Sequence, residues 1–275
     1  MVWSFLRALS GRTPVGGRRV ALCLAAIACL GSCPSSSRCE AFRDPVDLVK
    51  RSIKAMERQD SLLTDYRYKK AVVTEYLDRD LDVKKKEERL LEVTSVPRAP
   101  DVEVVISING KPLSEKEIEK SERERRRGRS GRSIRPTLNG EDLLTQFDWS
   151  FAGSDRVSGR PATVLSFRPK PGAVYKGSDS NAEKLLKKGS GRVWIDDEEF
   201  VITRVEFEFS GEMKSMAGLL WTLRSLRVKE ERKRLDDGVW IDSEGEYFID
   251  ATALLVKSVV RHLTSHTYGY EKPRS

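Results

Sequence analysis

From Tyr66 onward the apolar residues of this chain recur at every second position, segment after segment. That period constrains the fold more than any other feature, because alternation sends successive side chains to opposite faces and so demands strands. Tyr66, Tyr68, Val72, Thr74 and Tyr76 share one face, interrupted by Lys70. A charged second strand spans about 83–96. Val102, Val104, Ile106 and Ile108 form a third, which closes at Asn109-Gly110, a dipeptide that favours positive φ and a tight turn. Further strands are expected at about 143–151, 161–168, 192–195, 200–209, 221–234, 239–250 and 255–268, with Gly153 and Gly159 between the first two. In the 200–209 segment Val201, Thr203, Val205, Phe207 and Phe209 point one way, and Arg204, Glu206 and Glu208 the other. This is the pattern of an antiparallel sheet covered on one side. About ten strands are too many for a flat open sheet, so strong curvature or partial barrel closure follows.

Helical signals are few. Asp44-Pro45 combines an N-cap carboxylate with proline at the first helical position. Val46, Val49, Ile53 and Met56 then form an apolar stripe. Ser114-Glu115-Lys116-Glu117 is a capping box opening a charged helix. Pro169-Lys170-Pro171-Gly172 breaks the strand pattern, and 182–188 reads as a short helix or loop.

Charge is unevenly placed. Of the net +8, +4 lies in residues 1–32 and +5 in residues 122–136, which leaves −1 on everything else. The 122–136 stretch has no aromatic residue for base stacking and is made pliant by Gly128, Ser130 and Gly131. It reads as a flexible, solvated loop or as an anionic contact through Arg125, Arg126, Arg127 and Arg129, with no nucleic-acid partner. All four cysteines fall within the first 39 residues, so neither a disulfide framework nor a four-cysteine zinc site belongs to the folded body.

Arg18-Arg19 precedes an uncharged apolar run of 11 residues, Val20 to Leu30. A membrane-spanning helix needs about 20. A basic segment before a short apolar one marks a secretory signal. Leu30-Gly31-Ser32-Cys33 resembles the bacterial lipobox, which makes 1–32 a lipoprotein-type signal peptide, Cys33 the lipidated residue and 33–43 a tether. Cleavage after Ala28, where Ala26-Ile27-Ala28 fits the A-x-A pattern, and retention as an uncleaved anchor are the competing readings.

Gly191-Arg192-Val193-Trp194-Ile195-Asp196 with Arg204-Val205-Glu206 resembles a hairpin of the outer-membrane lipoprotein-sorting superfamily, the LolA/LolB type. Asn109-Gly110-Lys111-Pro112-Leu113 and Ser158-Gly159-Arg160-Pro161-Ala162 look like linkers of its bacterial members. The resemblance spans 44–270 in pattern and about a tenth of that in specific motif. It implies an α+β, mainly antiparallel β fold over a single domain, 44–275. This is a curved half-barrel meander of about ten strands, with the N-terminal helix and short helices over its concave face. It also implies an envelope protein on the periplasmic side, lipid-anchored with the outer membrane favoured, that binds lipid or the acyl chains of a lipoprotein in an apolar cavity. Candidate lipid-binding residues are Tyr66, Tyr68, Val72, Tyr76, Val201, Val205, Phe207 and Phe209, each of which serves equally well as ordinary core. Met213, Met216, Leu219, Leu220 and Trp221, flanked by Gly211 and Gly218, form a candidate lid or membrane-touching loop. A non-catalytic sensing or protein-binding module, docking an envelope protein through the arginine loop, is the alternative.

Enzyme chemistry finds little support. His262 and His266 are the only histidines, and on a strand they lie about 13 Å apart, too far to share a metal. No serine, nor Cys39, has an activating histidine partner in the pattern. Asp196-Asp197-Glu198-Glu199 reads as a solvated hairpin turn rather than a calcium site. No metal and no cofactor are expected.

Overall fold

The computed structural model describes residues 44–63, 66–96, 101–120, 123, 140–173, 185–214, 221–253 and 257–272. The signal segment, Cys33 and the tether lie outside the described residues. So do Arg125, Arg126, Arg127, Arg129, Met216, Leu219 and Leu220. No helix among the described residues is long and apolar enough to cross a membrane.

Helix α1 (Pro45–Leu62) begins where Asp44 accepts a hydrogen bond from the Val46 amide at 2.9 Å. Its buried face is turned slightly from the expected stripe. Leu48, Val49, Ala55 and Met56 are buried with Ser52, Gln59 and Asp60, while Val46 and Ile53 are half-buried at its flank. The small Ser52 fits this seam because its hydroxyl donates back to the Leu48 carbonyl at 2.9 Å. Gln59 accepts from the Trp240 amide at 3.1 Å and donates to the Gly238 carbonyl at 3.4 Å, which ties the helix to a hairpin turn.

Eleven antiparallel strands are found among the described residues: β1 (Arg67–Leu77), β2 (Val83–Thr94), β3 (Val102–Ile108), β4 (Lys111–Pro112), β5 (Phe147–Val157), β6 (Arg160–Pro169), β7 (Ser190–Asp196), β8 (Ile202–Lys214), β9 (Trp221–Arg234), β10 (Trp240–Ala253) and β11 (Lys257–Glu271). Their order is β4-β3-β2-β1-β11-β10-β9-β8-β7-β6-β5, so the sheet is open and not closed into a barrel. Each hairpin joins neighbours, and the one non-sequential pairing, β1 with β11, unites the two arms. The open edges β4 and β5 are consecutive in the chain.

Turn chemistry matches sequence expectation. Asn109 and Gly110 at β3–β4 take positive φ at both central positions, as a two-residue hairpin requires, and Ser158 and Gly159 do the same at β5–β6, where the strands run on to a tighter turn than the expected bounds of 151 and 161 left. The expected strand at 143–151 is different. Helix α2 (Gly140–Gln146) comes first and β5 starts at Phe147. Leu143 and Phe147, four residues apart, meet in a small core with Leu186, a spacing that suits a helical turn running into a strand. β5 then continues past Gly153, where the register shifts. The very short β4 raises the count from about ten strands to eleven.

The hairpin β7–β8 carries the motif residues, and they are occupied structurally. A Cβ on Gly191 would run into the Glu206 carbonyl oxygen and come within 2.7 Å of the Phe167 ring. Trp194 lies between Arg192 and Arg204, whose guanidiniums sit 5.2 Å and 5.0 Å from its ring centre. Fully buried Asp196 receives Arg160 at 2.6 Å and 3.0 Å and caps the turn by accepting from the Glu198 and Glu199 amides. The acidic turn is therefore matched by arginine, with Arg234 adding a bond of 2.6 Å to Glu199. We expect Gly191→Ala to destabilise the protein by about 1–3 kcal/mol in equilibrium urea unfolding, because neither the Glu206 backbone nor the Phe167 ring can give way without distorting the sheet.

Candidate functional site

Cross-strand pairing assigns every side chain to one of two faces. On the face that α1 covers, Leu165, Val193, Ile195, Val205 and Trp240 pack against Leu48, Val49, Ala55 and Met56, joined by Val201 and Ile202. A second cluster on the other arm holds Leu63, Tyr66, Tyr68, Leu91, Val93, Val239 and Ile241, with Val72 at its margin. The candidate ligand-binding residues are thus divided among three places. Val201 and Val205 lie in the α1 core. Tyr66, Tyr68 and Val72 lie in the second cluster. Phe207, Phe209 and Tyr76 lie elsewhere on the same face.

The two tyrosines of the second cluster have structural partners. Tyr66 donates to Asp237, and burial followed by that bond pushes its hydroxyl up to about 12. The same bond holds Asp237 below the ordinary carboxylate range. Tyr68 donates to Asp101 at 3.0 Å.

Beyond these clusters comes a belt of charge. Arg232, 1% exposed, donates to Asp242 at 2.9 Å and lies 3.2 Å from the Met56 sulfur of α1. Lys70 donates to Glu103 at 3.0 Å, and the Tyr247 hydroxyl donates to buried Glu230 at 2.6 Å. Burial alone would lower Lys70. The charge and hydrogen bond of Glu103, with Asp242 and Glu230 behind them, outweigh it and hold the ammonium above its ordinary value. Burial, then the charge and hydrogen bond of Glu230, push Tyr247 well above its ordinary value. Gly245 makes this crossing possible. A Cβ there would sit 2.7 Å from the Ser265 hydroxyl and 2.9 Å from the Tyr247 hydroxyl.

Past the belt the same face turns apolar again. Two rows run across five neighbouring strands. One is Phe207–Val228–Tyr247–Leu263–Thr74, and the next is Phe209–Leu226–Ile249–Arg261–Tyr76. Phe209, Val228 and Thr74 are buried, whereas Phe207, Leu226, Tyr247, Ile249, Leu263 and Tyr76 are half-buried. None of them belongs to the α1 core. Met213, from the expected lid, is buried at the end of β8 beside Leu223, and Trp221 opens β9. Leu226, Val228, Ile249 and Leu263 were not singled out from sequence. Their alternation was visible, but their meeting depends on pairings between strands.

The opposite face is charged. Arg192, Glu206, Lys229 and Glu246 form a row by pairing, and an open groove of about 720 Å³ crosses it. His262 bridges two strands there, with Nδ1 3.2 Å from Glu75 on β1 and Nε2 2.9 Å from Glu246 on β10. Histidines on β11 thus meet carboxylates, and among the described residues no group of three acidic, histidine or cysteine side chains could hold a metal.

No family model matches the sequence, and no curated protein matches it. Solved structures to which the chain is similar include a LolA superfamily protein from Nitrosomonas europaea (9% identity, 84% of this chain and 94% of that one, TM-score 0.30). Others are the lipoprotein LppX from Mycobacterium tuberculosis (9% identity, 84% and 96%, TM-score 0.29) and a DUF1329 family protein from Desulfovibrio piger (13% identity, 83% and 93%, TM-score 0.31).

Burial lowers the pKa of His262, but hydrogen bonds and charge from Glu246 and Glu75 outweigh it and leave the pKa above 6.5. The bridge therefore stabilises the fold fully below pH 6.5 and weakens as pH rises through the higher folded value. Urea midpoints measured from pH 6 to 9 should fall for the natural protein, and His262→Gln should flatten that slope.

Proposed function

We propose that this protein is a non-catalytic envelope lipoprotein, anchored through Cys33 and favouring the outer membrane. It shelters acyl chains, of a lipid or of a lipoprotein in the course of sorting, against the apolar rows of β8, β9, β10, β11 and β1. The observation that carries this reading is the set of half-buried apolar residues, Phe207, Leu226, Ile249, Leu263 and Tyr76, which strand pairing gathers outside the α1 core. Five strands at about 4.8 Å spacing make a track about 19 Å long. Fully covering acyl carbon is worth about 0.8 kcal/mol per CH₂, so a 16-carbon chain gains at most about 12 kcal/mol, and less where the open track covers only one side of it, before the entropy of immobilising it is subtracted. Half-exposed residues are the ones with surface left to cover. Val201, Val205, Tyr66 and Tyr68 are already buried against protein, on the other side of the charged belt.

Mass spectrometry of organic extracts from the purified protein should find stoichiometric acyl lipid. Leu226→Asp, which places a carboxylate between Phe209 and Ile249 in the middle of the track, should weaken displacement of a fluorescent fatty acid at least about tenfold while leaving the fold intact. An empty extract together with no binding of the fluorescent probe by the delipidated, folded protein would overturn the proposal. Cys33→Ser should release the protein from the membrane fraction.

A further inference from the structure

The apolar track does not have equivalent ends. At β8 it ends on Phe207 and Phe209, and at β1 it ends on Tyr76, which is surrounded by cations. Arg261 and Lys85 are the direct cross-strand partners of Tyr76, from β11 and β2. Their charged groups stand 5.0 Å and 5.1 Å from the centre of its ring. Arg89 and Glu87 follow on the same face of β2. Three bases against one acid leave this corner with an excess of two positive charges.

Glu87 is already engaged. It accepts from Lys85 at 3.0 Å and from Arg89 at 2.7 Å. Arg261 has neither an ion pair nor a hydrogen bond among the described residues, and it is exposed. An arginine held over an aromatic ring, with all its N–H groups available, is suited to bidentate capture of a carboxylate or phosphate. Its neighbour in the row is Ile249, so an anion bound here would have its hydrocarbon directed onto the track.

We propose that the ligand is an anionic amphiphile whose carboxylate or phosphate is met by Arg261 and Lys85 beside Tyr76, with its acyl chain laid toward Phe209. This rests on the acyl-binding reading above and adds the headgroup class and the direction of the chain. The site is a polarity filter: the track accepts any hydrocarbon, and the cationic corner selects the charge at its end.

The full chain, delipidated, is tested by displacement of a fluorescent fatty acid with two matched pairs, dodecanoate against dodecanol and phosphatidylglycerol against phosphatidylcholine. The anionic member of at least one pair should bind about tenfold or more tighter, as expected for a charge-assisted hydrogen bond. A preference confined to the first pair names a free fatty acid, and one confined to the second an anionic phospholipid. Arg261→Gln with Lys85→Gln should remove that preference while dodecanol still binds. Both residues are exposed, and an unaltered thermal midpoint checks that the fold survives. Equal binding within both pairs, or a preference that survives the double substitution, overturns this inference while leaving the acyl track standing. No binding of any of the four overturns both.

Discussion

Pairing of β1 with β11 is the interaction on which the rest of the architecture depends. Every other strand contact joins chain neighbours, and such hairpins form locally. The β1–β11 seam joins positions as far apart as Glu75 and His262, 187 residues along the chain. It therefore carries the loop-closure entropy of the whole domain. Without it there are two sheets, one of four strands and one of seven, and Thr74 and Tyr76 are parted from the rest of the apolar track. Several side-chain pairs cross this seam or stand beside it, including His262 with Glu75 on one face and Arg261 with Tyr76 on the other. The ligand track crosses the same seam. A ligand that reached Tyr76 and Lys85 as well as the β8–β11 rows would bind the joined sheet more tightly than its parts and so stabilise the joined form by mass action.

The charged belt explains how one face can serve two purposes. Isolated charges at such depth would be costly, and these are tolerated because each has a partner: Arg232 with Asp242, Lys70 with Glu103, Glu230 with Tyr247. The belt separates the α1-filled core from the half-covered track. If the whole face were apolar, the Gln59 bonds to the β9–β10 turn would be left to resist sliding of α1 along it, and the track could collapse against the core. Buried polar pairs fix register because misalignment leaves them unsatisfied. In sequence Lys70 looks like an interruption of the β1 apolar face. In the fold it is one post of this divider.

What was readable in sequence was whatever is decided locally. Alternation placed most strands, Asp44-Pro45 placed the start of α1, and Asn109-Gly110 placed the β3–β4 hairpin. The strand misassigned to 143–146 failed because a short apolar run carries both periods, and a helical turn lets Leu143 meet Leu186 while Leu144 packs on the α1 core. The buried seam of α1 was misjudged by a fraction of a turn, since Ser52 and Gln59 are buried for their hydrogen bonds and not for hydrophobicity. The site itself was less readable. Phe207, Phe209 and Tyr76 were among the candidates, yet what joins them is Leu226, Ile249 and Leu263, from strands contributed by distant segments. Register between strands is a property of pairs, and no single segment contains it. The motif around Trp194 and Asp196, by contrast, signalled fold: its residues are committed to Arg160, Arg192, Arg204 and Asp155.

The two faces also differ in what solvent does to them. On the charged face, row partners are exposed or half-exposed, and each pair there is weakened by water and salt. Losing one costs little, so that face can vary without disturbing the sheet. On the α1 face, polar groups are buried in matched sets and apolar groups are either packed by α1 or half-covered along the track. Half-coverage is the unstable condition of the three. Such a strip gains from any apolar partner, including a second exposed sheet, and an open sheet has unpaired edges as well. The cationic corner at Tyr76 limits that hazard. Two like copies meeting track to track would bring Arg261 and Lys85 near their counterparts or bury them against hydrocarbon, and either arrangement is costly. An amphiphile with an anionic end meets neither obstacle. The cations proposed to select the ligand therefore also disfavour apolar contact between two copies of the strip.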